Sequence, residues 1–497
     1  MPFLLLLCLS LACLPVDWPK PLEGLRPIHS LLGTAGLIAL LGGSAGWVAW
    51  RTRCRLQSAE PREGIMRYYG RRRMLHSLAL MGIYVLILYG LGWGWAVQAT
   101  VKSWHADLKV MPPGIELAIL APLPLALILS WFFFYDAEQA LQAVGDPQAR
   151  PFGGRWRYVS FQVRQNLALI AAPILVLVVA EGLIRQFPET LQRERAETFL
   201  VVPLAGSMII FMPWVVRLVL RLRPLPPGPL RQRLEAAAVR LNCHCSNILV
   251  WNTRNGVANA MVVGVLPWLR YVLLSDRLLE EMTPAEVEAV FGHEVGHVKH
   301  FHMFYYLAFL IGSLAVLSRG SILLEIKVQE WWPATQTFLE NNRNWLPSWL
   351  ALPSLCVLAM YVFGIFGFLS RRCERQADIY GCRAVSCAQL ECAKHDDGTS
   401  LADGGRGLCH SGIRIFISAL DKVASLNGIS RTRPGWLHSW QHSTIERRVR
   451  FLERIIADPP LEARFQQRVF WFKLVVLVLL AAALVSLWWP DLARRLG

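Results

Sequence analysis

Long apolar stretches alternate with short, arginine-rich ones along most of this chain. Runs of about 20 residues, the length a helix needs to cross a bilayer, occupy 29–50, 74–97, 114–135, 166–184, 199–219, 349–369 and 470–489. A further run, 304–317, is short by itself, but it follows a histidine-bearing segment with no proline between them. That continuity predicts one long helix entering the membrane. The first residues, PFLLLLCLSLACLPV, have the length of a signal peptide but no Lys or Arg ahead of them, so they read as a signal or an extra anchor.

Composition agrees with the pattern. At 54% hydrophobic and 17% charged over 497 residues, the chain is too apolar for an ordinary soluble enzyme. Its net charge of +16 sits on arginines flanking the apolar runs rather than on a basic stripe with interleaved aromatics. The expected partner is therefore the lipid bilayer and not nucleic acid. Arg51, Arg53, Arg55, Arg62, Arg67 and Arg71 to Arg73 follow the first run, whereas the next loop holds only Lys102 and Lys109. The excess places the first of these loops in the cytoplasm. Later loops alternate consistently, with Arg150, Arg155, Arg157 and Arg164 inside and Arg217, Arg221, Arg223, Arg231 and Arg233 inside again. Eleven cysteines, most of them single in sequence, are expected to be reduced thiols. Cys243 and Cys245 flank His244, but no second ligand pair accompanies them to make a metal site.

The proline-rich RPLPPGPL at 223–230 is a stiff hinge. Beyond it, RQRLEAAAVRLNCHC has helical periodicity, and SNILVWNTRNGVANAMVVG turns to β-branched residues with turn signals, predicting a small helix-plus-hairpin unit. The Gly/Asp-rich stretch at 394–407 reads as a loop. The expected organisation is an apolar segment at 1–28, a five-span membrane domain at 29–222, the first half of a polar domain at 223–302, a transmembrane hairpin at 303–369, the second half at 370–466 and a C-terminal transmembrane helix at 467–497. The fold class is a multi-pass α-helical membrane protein bearing a cytoplasmic, mainly α domain with a small β-hairpin or sheet.

The chemistry is written in EEMTPAEVEAVFGHEVGH. Thr283 at the N-cap, Pro284 at the first helical position and Glu286 three residues after Thr283 form a capping box, so the histidines beyond it lie on a helix. His293 and His297, four apart, stack on one face and offer two imidazoles to one ion, while Glu294 is turned about 100° aside, where a water would be activated. A catalytic zinc takes three protein ligands and leaves a fourth position for water. In SRRCERQADIYG, Glu374 can complete a His, His, Glu set, which makes the cytoplasmic domain zincin-like, and Asp378, one turn on, can reach a ligand imidazole from behind. Because 304–317 and 349–369 form a hairpin, both halves emerge on one membrane side. His300 and His302 read as residues at headgroup level.

These residues resemble the membrane-embedded zinc metalloendopeptidases that include the type 1 CAAX prenyl proteases and the heat-shock protease HtpX. The resemblance implies that His293, His297 and Glu374 bind one Zn2+, that Glu294 is the catalytic base and that Asp378 supports the ligands. It extends to NAMVVG, similar to the family's substrate-binding edge strand, giving Asn259, Ala260, Met261 and Val262. HSTIERRVRFL is similar to a C-terminal pattern whose His and Arg stabilise the reaction intermediate, giving His442 and Arg448, although Ser443 replaces the usual proline. It further implies a multi-pass protein of the bacterial inner membrane acting on peptide or membrane-protein substrates, in quality control or CAAX-type processing. Two other classes stay open: a site-2-type intramembrane protease, and a transporter or scaffold that keeps a zinc site.

Overall fold

The computed structural model describes residues 18, 20, 24–58, 61–104, 112, 114–145, 153–168, 171, 174–176, 178, 196–331, 360–387, 392, 407–431 and 443–496. The chain divides into two compact units: Met1–Phe211 with Leu218–Leu220 and Asn342–Leu352, and Met212–Arg217 with Arg221–Asn341 and Pro353–Gly497.

In the first unit, helices α1 (Pro27–Leu56), α2 (Arg62–Val85), α3 (Trp93–Trp104), α4 (Ile115–Leu120), α5 (Pro122–Gly145) and α6 (Arg155–Gln162) form a bundle. Among its described residues, three stretches are long and apolar enough to cross a membrane: Pro27–Leu56, Gly64–Gly90 and Ile115–Ala143. The second starts ahead of the expected 74–97 because the arginine-rich stretch before it is also helical; Arg67, Arg71 and Arg72 stay exposed, while Tyr69, Arg73 and His76 turn into the bundle. Tyr69 donates to Glu138 at 2.7 Å, Arg73 pairs with the same carboxylate, and His76 bridges Ser44 and Ser130 at 2.9 and 3.0 Å. Polar side chains facing each other avoid the cost of facing lipid. The expected run at 199–219 lies in α7 (Ala196–Val219). Most of 166–184, most of 349–369 and the leader at 1–17 lie outside the described residues.

The second unit holds a four-stranded sheet, β1 (Arg223–Pro224), β2 (Asn247–Trp251), β3 (Ala260–Val263) and β4 (Tyr271–Ser275), in the order β1-β2-β4-β3. The expected hairpin between β2 and β3 is not formed. β2 runs parallel to β4, and β3 pairs antiparallel to β4 on its other side. β4, buried at every position, takes the centre because both its faces and both its edges are covered. That leaves β3 as an edge strand.

The helices of this unit are α8 (Pro229–Arg240), α9 (Asp276–Glu281), α10 (Pro284–Lys299), α11 (His302–Trp331), α12 (Gly367–Ala384), α13 (His410–Leu426), α14 (Ile445–Ala457) and α15 (Pro460–Leu496). α10 begins as the capping box dictates: Thr283 Oγ1 accepts from Glu286 N at 3.3 Å, and Thr283 N donates to Glu286 Oε2 at 2.8 Å. It does not continue into one long helix. α10 and α11 meet at a 48° bend, with Phe301 in the left-handed region at φ 52°. A fourth span of sufficient length and apolarity, Pro460–Trp489, lies in α15 and leaves Phe470, Trp471, Leu479 and Val485 exposed, as a lipid-facing helix requires.

The tightest packing is between α10 and α12. A Cβ on Gly292 would stand 2.3 Å from Ala384 Cβ, and one on Gly296 would stand 2.8 Å from both Ala377 Cα and Tyr380 Cβ. From the far side, Glu288 of α10 is fully buried and accepts from Arg233 and Arg240 of α8, each at 2.5 Å, while Arg240 also donates to Ala384 O at 2.8 Å.

Gly296→Ala is expected to push α10 off α12, because a backbone atom cannot step aside, at a cost of about 1–3 kcal/mol. Thermal unfolding and metal content of the purified protein should both fall. Gly320→Ala, with nothing within 4 Å of the added methyl, should lower neither.

Candidate metal centre

The α10–α12 contact brings together the side chains named from the sequence. His293 Nε2 and His297 Nε2 are 3.3 Å apart. Glu374 Oε2 is 3.8 Å from the former, and Glu374 Oε1 is 3.7 Å from the latter. Donors bonded to one tetrahedral ion at about 2.0–2.1 Å stand about 3.3–3.4 Å from one another, so this triangle fits a metal ion with small adjustment of Glu374. The three form one of two groups with metal-binding spacing among the described residues.

Each ligand is held from behind. Asp378 Oδ1 lies 3.0 Å from His293 Nδ1, which puts the proton on Nδ1 and turns Nε2 to the ion. Phe416 of α13 stacks on the same ring at 5.9 Å. Asp378 is itself gripped by Arg448 of α14 through two bonds, Nε to Oδ2 at 2.9 Å and Nη2 to Oδ1. Burial pushes the Asp378 carboxyl up, but the Arg448 charge and the bonds from His293 and Arg448 outweigh it and hold it below the usual carboxylate value. Burial lowers Arg448, and Asp378 and Glu374 raise it further still, so it stays charged. Arg448 Nη1 is 3.7 Å from Glu374 Oε2. The oxyanion role inferred for Arg448 thus meets a guanidinium already forked onto Asp378.

His297 has a support the sequence did not reveal. Its Nδ1 is 2.9 Å from His302 Nδ1, and His302 Nε2 is 3.2 Å from Gln376 Oε1. With Nε2 of His297 turned to the ion, the proton must sit on its Nδ1, so His302 accepts there and donates to Gln376. Gln376 Oε1 also accepts from Lys473 of α15 at 2.9 Å, and Gln376 Nε2 donates to Gln466 at 2.6 Å. His302 is fully buried, packed behind His297 rather than turned outward. Spacing gave no hint, since a residue five on from His297 along a straight helix points about 140° away; only the turn at Phe301 brings it back. His300 stacks on His302, and burial, with Lys473 and Arg383 nearby, pushes it down to about 4.

Glu294 lies beside this set, and its Oε2 accepts from the Val262 amide at 3.1 Å. Ser275 N donates to Asn259 O at 2.9 Å, so Asn259 bonds towards β4, and by antiparallel alternation Ala260 and Val262 direct their main-chain groups to the open edge. His442 lies outside the described residues. Ser443, described, has φ 65°, a backbone that proline, locked near −65°, cannot adopt. Cys243 and Cys245 join no group with metal-binding spacing among the described residues; burial pushes both thiols up, Cys245 to about 11 with Cys243 adding to it.

Residues 224–433 match the model of peptidase family M48. The resemblance to the membrane-embedded metallopeptidases is thereby borne out over the segment that carries the site. Among characterised proteins, the chain is similar to the probable CAAX prenyl protease 1 of Schizosaccharomyces pombe, 30% identical over 113 residues, which is 19% of this chain and 24% of that protein. It is also similar to the protease HtpX homolog of Aeropyrum pernix, 30% identical over 164 residues, which is 32% of this chain and 50% of that one. The chain thus matches half or less of the length of either relative. The crystal structure of S. mikatae Ste24p aligns with 88% of this chain and 100% of its own at 15% identity and a TM-score of 0.49.

Two variants probe the supports. His302→Ala should weaken metal binding by about 10–100-fold, read by competition with a chromogenic chelator. Asp378→Ala leaves Arg448 buried without its partner and should cost about 3–5 kcal/mol. In denaturant unfolding, Asp378→Ala combined with Arg448→Met should be more stable than Asp378→Ala alone.

Proposed function

We propose that this chain is a membrane-bound zinc metalloendopeptidase whose catalytic region faces the cytoplasm. One observation carries the reading: His293, His297 and Glu374 converge at ligand spacing with the Glu294 carboxylate beside them, tied to an edge strand. When bound there, zinc supplies Lewis acidity to the scissile carbonyl and to water.

The chain's own groups do the rest. Glu294 takes the proton of the attacking water and passes it to the leaving amine, so hydrolysis needs no covalent enzyme intermediate. The Val262 amide fixes the carboxylate's direction. An extended peptide laid along Asn259, Ala260, Met261 and Val262 would add a strand to the sheet, and because the Val262 amide already points at Glu294, its scissile bond would pass over the base. Recognition of main chain in this way asks little of substrate side chains. Arg448, and His442 by the family resemblance, place positive or donor character where the carbonyl oxygen gains charge. For Arg448, seated on Asp378, that contribution is through its field and through its hold on the His293 ligand.

The substrates in this reading are peptide segments of membrane-associated proteins, in quality control or CAAX-type processing, the two roles that the similarity to HtpX and CAAX proteases brings. A site-2-type mechanism fits less well, because the third donor is Glu374 on α12 and the metal helix opens with the charged EEMTPAEVEA. A scaffold with a retained metal predicts no turnover at all.

Glu294→Gln should keep zinc and lower casein cleavage by about 10²–10⁴-fold, whereas Glu374→Ala should lose the ion too. Unchanged turnover in Glu294→Gln would remove the general-base assignment. Phenanthroline should abolish activity, and comparison of a farnesylated CAAX peptide with its unmodified form separates the two roles.

A further inference from the structure

Beyond the metal triangle, a second set of soft donors gathers at the far end of α12. Cys387 follows that helix, Cys409 caps α13, and Cys392 lies between them in sequence. Their three Sγ atoms lie within 4.8 Å of one another. Thiolates on one tetrahedral zinc ion, bonded at about 2.3 Å, stand about 3.8 Å apart, so the cluster is close to the size of a filled site. Cys387 and Cys409 are buried and Cys392 is half-buried.

Backbone bonds hold each piece in place. Cys409 N donates to Ser386 Oγ at 3.1 Å, next to Cys387, and Ser386 Oγ donates to Cys382 O at 2.8 Å. Ser411 N donates to Cys392 O at 2.9 Å. Cys409 Sγ accepts from Gly412 N at 3.2 Å, at the N-terminus of the 17-residue α13. Gly412 is required there: a Cβ would stand 2.3 Å from Ser386 Oγ and 3.0 Å from Cys382 O. The end of α12 and the start of α13 are thus pressed together at the point where the thiols meet.

We propose that Cys387, Cys392 and Cys409 bind a second metal ion, a soft divalent cation of the zinc class with a structural task. The thiols release their protons to solvent on binding. The ion would tie Cys392 to the end of α12 and to the start of α13, the helix whose Phe416 stacks on His293. This assignment does not depend on peptidase activity.

Full-length protein in detergent, prepared under reductant and loaded with Co2+, provides the test. Two ions per chain are expected in the wild type. His293→Ala/His297→Ala should retain one, together with thiolate-to-cobalt charge-transfer absorption; Cys387→Ser/Cys409→Ser should lose that absorption and one ion. Because capping variants can misfold, alkylation of the native wild type mapped by mass spectrometry is the second measurement: Cys387, Cys392 and Cys409 should react only after a chelator is added. A single ion with no thiolate absorption, or prompt alkylation of all three, would overturn the site, as would two of them joined as a disulfide. Failure of the peptidase reading would show separately, as an ion count that His293→Ala/His297→Ala leaves unchanged.

Discussion

The close approach of α10 to α12 is the constraint on which the rest depends. A zinc-sized ion needs its donors within a few ångströms of each other, but two helices carrying ordinary side chains at their contact keep their axes about 8–10 Å apart. Here glycine at 292 and 296 meets Ala377, Tyr380 and Ala384, so the backbones come near enough for His293 and His297 on one helix to face Glu374 on the other. Glycine in a helix interior costs about 1 kcal/mol against alanine. The buried packing between the two helices offsets it. Gly381 continues the same seam: a Cβ there would stand 2.4 Å from the Phe416 ring and 2.9 Å from Ala289 O, which seats α13 against both.

Once the helices touch, the remaining problem is electrostatic. Imidazoles next to a buried carboxylate must present the correct nitrogen, and buried charges must be paired or they become a liability. Two chains of groups solve this from opposite sides. His293 backs onto Asp378 and Arg448, and His297 backs onto His302, Gln376 and Lys473. The first ends in a guanidinium from α14 and the second in an ammonium from α15, so the metal helices are tied to elements far away in sequence.

What could be read from sequence was what local chemistry determines. The capping box fixes the phase of α10, so the histidine face comes from it, and the four-residue step between Glu374 and Asp378 makes them one face of α12. The apolar spans were legible from composition, though not their starts, since helices such as α2 extend through arginine-rich residues, of which Arg73 pairs with Glu138 inside the bundle while Arg67, Arg71 and Arg72 stay exposed. The other misses turn on long-range contacts or on a backbone conformation that the local pattern does not mark. β2 and β3 are adjacent in sequence, yet β4 comes between them because a strand buried on both faces belongs in the middle. His302 faces the site only because Phe301 takes a left-handed conformation, and nothing in FGHEVGHVKHFH marks that residue as a break. Arg448 was readable as a site residue from its similarity to a family pattern, but its bond to Asp378 joins residues 70 apart.

The level of the metal centre along the second unit is set by where polarity stops. Lys473 is buried in α15, three residues after Phe470, where that helix turns apolar, and besides Gln376 its Nζ reaches His300 O at 3.4 Å. An ammonium with these partners has been drawn towards the polar end of the helix, as long cationic side chains do at a lipid boundary. On the neighbouring α11, His302 is the first residue and the apolar run starts within its first turn. Both helices therefore leave the polar region at the depth of His297. His293 and His297 thus precede the apolar run of α11 in sequence, and Glu294 beside them is only half-buried.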